Sequence, residues 1–454
     1  MLQLWPRLIQ LDTAEERAYL QCSQISVQRE EAADSQRCTF QLPNVNPDNP
    51  TDTGYYTPYR GGGEFNKAMN PWYLVNIPSR RVVAKLGYGT DLATVFTGEL
   101  DEINLEAQPR DYLLNADCRD LACWLIDQTI KLNIGNEIKY YIEYPLPAGV
   151  TKFWLTPGAT NHPDIADIVK DLCLRAGFAA ADVVVEATGI QLNPKFERLS
   201  YMDAINELCT ASGFEFFVDE DGKARFYYPT DRSPEITNKS VVLSGTGWVL
   251  LGQEHLVAGS DRVTGSGGTV KYVRGTDYDL DLVGGKIRRL PSGSIPNGGT
   301  VAVSYIYAGW VFREGEDIFS LSLSLSRRNL YGTIRVAGEG AEGVAVTSSP
   351  LWDTCKVQGD KVLFADNSYL DSKAKCQACA DRLQQDMLRR YVCASFVAVG
   401  NPWLQVGDNI MVVESSSTIS EVYKILSLSY DLSPDGFIMT LRVFHVGYTP
   451  LTTA

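Results

Sequence analysis

Over its first hundred residues the chain alternates apolar and polar positions at short range, as in Cys38-Thr-Phe-Gln-Leu42 and Arg81-Val-Val-Ala-Lys-Leu-Gly87. This period of two predicts several β-strands between Leu20 and Gly98. Residues 43–70 interrupt it with four prolines, the triplet Gly61-Gly62-Gly63 and few aliphatic side chains, and they are expected to form a long exposed loop. The period then lengthens. Cys118, Leu121, Ala122, Leu125, Ile126 and Thr129 recur at helical spacing, which predicts a helix over 116–132 capped by Asn115 or Asp117.

Two more helices are expected at 164–176, closed by Gly177, and at 201–211, opened by Ser200 and closed by Gly213. The stretch from Phe214 to Tyr228 then reads as a hairpin turning at Asp221-Gly222. Residues 160–230 form a small α+β unit on this reading.

Residues 236–310 break with their surroundings. They hold 14 of the 38 glycines, none of the ten cysteines, no helical period, and seven Lys and Arg against five Asp and Glu. Runs such as Lys286-Ile-Arg-Arg-Leu290 and Thr300-Val-Ala-Val-Ser-Tyr-Ile-Tyr307, separated by Gly-rich turns, predict an inserted, autonomous β-sandwich. Strand alternation resumes at 317–326 and from Thr333, followed by a helix at 372–391 and strands at 394–399, 409–413, 422–430 and 437–444. The fold class is therefore mainly β with α+β parts. Its expected units are 1–135 with its long loop and following helix, 136–235, 236–310, and 311–454 with helix 372–391.

Composition narrows the function. The 454 residues are 44% hydrophobic and 21% charged, which suits several globular cores. The net charge of −14 argues against adhesion to a phosphate backbone through counterion release. No run of 18 apolar residues occurs, and the start lacks a basic segment followed by an apolar one, so synthesis in the cytosol without a membrane segment is expected. The cysteines sit in apolar-periodic segments and read as reduced core residues.

Candidate chemistry is sparse. Cys376-Gln-Ala-Cys379 has the spacing of half a zinc or redox site, but His162, His255 and His445 are the only histidines and no second paired set exists. Ala374, Ala378, Leu383 and Met387 share the helical period, so both thiols are expected to face a core. Asp277, Asp279 and Asp281 alternate along one strand face, which suits a Ca²⁺ site, a glycosidase pair or simply a solvated face, and the last is favoured. Asp219, Glu220 and Asp221 surround the hairpin turn and are explained by turn chemistry. Gly265-Ser-Gly-Gly268 lacks the spacing of a nucleophile elbow. No catalytic, cofactor or metal residues are assigned, and no cofactor or enzymatic activity is expected; a cell-wall enzyme would rest on the acidic pairs alone.

Three stretches carry a resemblance. Val95-Phe-Thr-Gly-Glu-Leu-Asp-Glu-Ile103 with Asp117-Cys-Arg-Asp-Leu121 and Leu125-Ile-Asp127 is similar to a "vlFtG.id" strand and a "cRD....liD" helix start. Gly400-Asn-Pro-Trp-Leu-Gln-Val-Gly-Asp-Asn-Ile-Met-Val412 is similar to "GnP.l.vGd.i.v". The middle unit, with Ile168-Val-Lys-Asp-Leu-Cys-Leu-Arg-Ala-Gly-Phe178 and Asp219-Glu-Asp-Gly-Lys-Ala-Arg-Phe226, is the third. Over about 1–230 and 311–454 the chain resembles the baseplate hub and late control protein family of tailed phages, related to hubs of contractile injection systems and type VI secretion. Read from the residues alone, Phe96 fills a core, Gly98 permits a close backbone approach, and Gly400-Asn401-Pro402 with Gly407-Asp408 supply turns. The insertion resembles a module of phage tail proteins through Gly275-Thr-Asp-Tyr-Asp-Leu-Asp-Leu-Val-Gly-Gly285 and Gly293-Ser-Ile-Pro-Asn-Gly-Gly299, departing at Leu282 where an aromatic is usual.

The resemblance implies two hub-type β-barrels, one in 1–135 and one in 311–454, and a homotrimer whose six barrels make a pseudo-sixfold ring. Its implied partners are a tail tube protein above, a central spike or fibre protein below, other baseplate proteins, and genome DNA and tape measure passing through the lumen of a virion tail. An acidic lumen would let DNA pass without sticking. The alternative is a tail-tip adhesin that binds host surface glycan through the insertion, with Trp248, Tyr272, Tyr278, Tyr305 and Tyr307 as stacking candidates against their commoner use in a core.

Overall fold

The computed structural model describes residues 8–12, 17–30, 35–43, 45–46, 49–53, 81–88, 91–108, 111–134, 137–147, 150–153, 163–228, 235–257, 260–265, 268, 270–325, 331–346, 361–389, 392–414 and 419–445. Most of the expected loop at 43–70 and His162 lie outside them. The fold is mixed α+β, dominated by strands in several sheets.

The largest sheet has 13 strands and is drawn from both ends of the chain. Its order runs Arg17–Gln21, Leu8–Asp12, Arg81–Tyr88, Asp91–Gln108, Asp111–Asp120, Arg37–Pro43, Gln24–Glu30, Ile419–Ser433, Gly436–His445, Val392–Val399 and Ile318–Leu325. Asn409–Glu414 pairs with Ile419–Ser433, and Trp310–Arg313 pairs with Asn409–Glu414. The two halves meet at an antiparallel seam, from Ile25 opposite Leu432 to Glu30 opposite Ser427. One hydrophobic cluster spans that seam: Val27, Phe40, Val82 and Phe96 from the first half pack with Phe396, Ile410, Tyr430 and Leu441 from the second.

The strands form because alternate positions bury on one face, visible in Gln24–Glu30 and Arg37–Pro43. The same alternation overrides the helix expected over 116–132. Leu114, Ala116, Cys118 and Asp120 are buried in turn along Asp111–Asp120, which pairs on both edges, and only Cys123–Ile126 is helical. Cys118, Leu121 and Ala122 satisfy both periods, and sheet pairing decides between them.

The opposite sheet face is largely polar around the seam and in register across strands, giving way to exposed Ile438 and Val399 beyond Asp431. One rung runs Gln24, Gln41, Asn115, Asn104; the next runs Glu102, Asp117, Thr39, Ser26, Asp431. A third crosses the seam through Arg37, Gln28, Ser429 and Thr440. Along these rungs the amide of Gln41 donates to Asn115 (3.0 Å) and the Ser26 hydroxyl donates to Asp431 (2.7 Å).

The middle unit has the expected helices. Ile165–Ala176 is capped by Asp164, whose carboxylate accepts from the Ala166 amide, and Tyr201–Ser212 by a reciprocal Ser200 and Asp203 box. Its cluster also includes Ile334, Val336, Ala345, Leu370, Cys376 and Cys379. The sheet of Thr333–Ala337, Glu342–Val346 and Val362–Asp366, with helix Lys373–Arg389, thus packs on the middle unit, whereas helix 372–391 was expected with the C-terminal strands. The cause is a close approach: a Cβ on Gly343 would lie 2.2 Å from the Cys376 carbonyl carbon, so only glycine lets this helix settle on that strand.

The insertion keeps a core of its own, including Leu243, Val263, Leu280, Ile287 and Tyr305. That core lies between a four-stranded sheet (Glu235–Leu243, Gly299–Ile306, Arg262–Gly265, Lys271–Tyr272) and a three-stranded one (Val249–Leu250, Lys286–Arg289, Tyr278–Asp281).

Candidate functional site: the junction at the seam

The hairpin turn of the middle unit plugs into the large sheet beside the seam. Glu220 is the plug. Arg29, only 4% exposed, donates from Nη2 to Glu220 Oε2 (2.9 Å), and the Gln405 side-chain amide donates to Glu220 Oε1. The Thr97 hydroxyl donates to the Glu220 carbonyl (2.6 Å), and the Gln36 side chain links Arg29 Nε (2.8 Å) to the Val218 carbonyl (3.3 Å). Three distant segments thus close on one residue, two of them on its carboxylate. Asp219 and Gly222 do perform turn chemistry: Asp219 Oδ1 accepts from the Lys223 amide (2.8 Å), Oδ2 pairs with Arg225 (2.7 Å), and Gly222 takes φ +80°.

Beside this plug lies a buried carboxyl. Asp120, 2% exposed, accepts from the Ser35 hydroxyl (2.8 Å) and the Ala122 amide (3.2 Å). Burial outweighs these bonds and pushes its pKa up to about 7. Its neighbour Arg119 clamps two other residues of the family-like stretches, Asp101 (2.5 and 2.9 Å) and Asp127 (2.7 and 3.1 Å). Those hydrogen bonds raise the guanidinium further above its usual range. Gly98 is required here, because a Cβ would sit 2.1 Å from the Arg119 carbonyl oxygen.

The second family-like stretch braces the far side of the seam. Tyr88 donates to the Gly400 carbonyl (2.7 Å), and Tyr430 donates to the carbonyls of Asn401 (2.9 Å) and Leu404 (2.8 Å). Gly400 lies against the Phe437 ring, where a Cβ would come within 2.4 Å. The second stretch therefore serves the union of the two halves, and the first holds the N-terminal strands and the following helix together.

A cavity of about 410 Å³ opens at the junction, lined by Arg29, Glu220, Arg225, Asp219, Phe217 and Gln405 among others. Among its charges Arg29 pairs with Glu220 and Arg225 with Asp219, while Glu186 accepts from the Tyr228 amide (3.2 Å) and Asp408 from the Gln405 amide (2.9 Å). The arrangement joins parts.

The other candidates resolve separately. Cys376 and Cys379 are buried, Cys379 donating to the Thr210 carbonyl (3.2 Å), and burial pushes the Cys379 thiol up to about 11. Among the described residues no group of three His, Cys, Asp or Glu could hold a metal ion. His255 takes part in strand-end backbone bonds to Val283 and Ala308, and burial lowers its pKa, while His445 packs against Tyr423. Asp279 pairs with Arg288 (2.8 Å) and Asp281 with Lys286 (3.8 Å) on the open sheet face. Asp277 instead organises a turn, accepting from the Ser294 hydroxyl (2.6 Å), the Ser294 amide (2.8 Å) and the Val273 amide (2.8 Å), which lower its pKa. Tyr278 and Tyr305 are core residues, Tyr272 and Tyr307 pack against that core, and Trp248 remains exposed. Pairing of Arg29 with Glu220 and the depth of Asp120 were not foreseen; Arg119 and Asp120 do sit inside a quoted stretch.

No protein-family model matches the chain, and no curated protein does. Solved structures do. The tail protein from Neisseria meningitidis MC58 superposes with a TM-score of 0.56 at 10% identity, covering 98% of each chain. The 43 kDa tail protein of prophage MuSo2 from Shewanella oneidensis gives 0.54 at 9% identity, over 96% of this chain and 98% of that one. From end to end, the chain has the fold of these phage tail proteins.

Proposed function

We propose that the chain is a non-catalytic structural hub of a phage-type tail baseplate, placed in the virion between tail tube and central spike or fibre. Its N- and C-terminal halves are read as the two hub barrels, and three chains then give six barrels matching a sixfold tube to a threefold spike. The observation that carries this reading is the seam: two halves of one chain share a continuous sheet and core, braced by the middle unit through Glu220. A hub that transmits load between tube and spike needs such a rigid union.

The stretch of this sheet face lined by Gln24, Gln41, Asn104, Asn115, Thr39 and Ser26 suits a bore, because amides and hydroxyls offer DNA little adhesion. Along its rungs the acids Glu30, Glu99, Glu102, Asp117 and Asp431 are interspersed with Arg37, Arg81, Arg119 and Arg442, so repulsion of DNA here would rest on a small acidic excess. The mass of the purified protein in solution tests the hub: a trimer is expected, alone or on adding the spike protein, and a monomer under both conditions overturns it.

A second reading, a tail-tip adhesin acting through the insertion, retains one observation in its favour, the exposure of Trp248.

A further inference from the structure

The inserted unit turns one ordered face outward. In its three-stranded sheet, Val249, Ile287, Tyr278 and Leu280 point into the core, so Trp248, Leu250, Lys286, Arg288, Asp279 and Asp281 are left on the other side. They stand in three parallel columns. Leu250 lies opposite Lys286 and Lys286 opposite Asp281, while Arg288 lies opposite Asp279 and stacks its guanidinium 4.3 Å from the centre of the Trp248 ring. Trp248 is 42% exposed and Leu250 67%, although neither has a local packing reason to face solvent.

We propose that this face is a carbohydrate-binding site that takes a pyranose unit of a cell-surface glycan. A pyranose has an apolar C–H face and a rim of hydroxyls that both donate and accept. The indole offers a flat apolar surface whose plane Arg288 holds, and Leu250 extends that surface along the strand. Across the cation column from it, Asp279 and Asp281 present carboxylates about a third exposed, each with acceptor capacity beyond the one cation and one backbone amide it already meets.

Charge selects the ligand class. Each cation on the face is paired with a carboxylate, so the columns are neutral in sum, and a strongly ionic ligand would have to break those pairs. A protein partner fits less well. The apolar surface is confined to Trp248 and Leu250, with Val283 at the adjoining turn, well short of the roughly 1,000 Å² that a stable protein interface buries. The four-stranded sheet of the same unit has no comparable aromatic. The site deepens the adhesin reading and rests on it, while the solution mass that tests the hub is independent of it.

Saturation-transfer NMR on the full-length protein tests the site, using methyl glycosides of glucose, galactose, mannose, rhamnose and N-acetylglucosamine as probes. Transfer to the ring C–H protons of at least one sugar is expected, with affinity about tenfold weaker in Trp248→Ala. Phe364→Ala, which removes an exposed aromatic from the sheet that packs on the middle unit, should leave binding intact. Leu250→Ser gives the second reading should Trp248→Ala fail to melt like the parent. Silence across the panel, or equal binding by parent and variants, overturns the proposal. A variant that loses association with a protein while sugar transfer is unchanged also overturns it and assigns the face to a protein contact.

Discussion

The seam and the inserted unit use the same kinds of charged residue in opposite ways. At the seam, Arg29 and Glu220 are withdrawn from water and tie together segments 191 positions apart. In the insertion, Arg288 and Asp279 form an ion pair of nearly equal length, 2.8 Å, across one hairpin and in half-open surroundings. A buried pair commits the fold to one arrangement, because either partner left alone is a stranded charge; an exposed pair is replaced by water at small cost. The seam should therefore be brittle to single substitutions and the insertion tolerant of them.

The largest effect is expected at Arg29. Arg29→Ala strands Glu220 against the sheet and should lower stability by about 3–5 kcal/mol in urea unfolding. Arg29→Met combined with Glu220→Gln should recover much of that loss. If the double variant is no better than the single, the pair is not the tie described.

Asp120 sharpens the contrast through pH. Its folded pKa of about 7 lies above the usual carboxylate value, so the folded state keeps a proton that the unfolded chain releases. Below about pH 4 both states are protonated and the group contributes nothing to the slope. As pH rises from there to about 7, stability falls, by up to about 4 kcal/mol, and it levels off above that. Asp120→Asn should flatten this window in melts taken across pH 4–8 and exceed the parent in stability at the upper end. A parent curve that rises with pH, with no difference in the variant, would contradict the burial argument.

Gly98→Ala probes packing without charge. Its Cβ meets the Arg119 carbonyl oxygen at 2.1 Å, a backbone atom that cannot swing away, and a loss of about 1–3 kcal/mol is expected in the same unfolding assay.

How much of this was legible follows from distance along the chain. Helices at 164–176 and 201–211 were readable because Asp164, Ser200, Gly177 and Gly213 mark their ends within a turn or so of the apolar period. Helix Lys373–Arg389 was equally readable, but its place was not, since that depends on Gly343 and on the Thr210 carbonyl that receives Cys379. The helix expected over 116–132 failed where both periods fitted the same residues and the neighbouring strands decided. At the junction, Glu220 read as one more acidic turn residue because nothing within a hairpin's length points to Arg29. The quoted stretches drew attention to Gly98, Arg119 and Gly400, but that Gly400 braces the seam while Gly98 and Arg119 lock the N-terminal strands needed the sheet order.

The smallest effect closes the comparison. Arg288→Ala removes the cation of an ion pair whose side chains are 37% exposed on both partners, and Asp279 can rehydrate where it stands. The global loss should be about 0.2–1 kcal/mol and should shrink as salt is raised. The substitution also frees the Trp248 ring from its stacked guanidinium, which should appear as a change in indole NMR shifts while the unfolding midpoint barely moves. A loss as large as that of Arg29→Ala would mean that the insertion, too, is tied into the rest of the chain through its charges, and the division between a brittle seam and a tolerant passenger would fall.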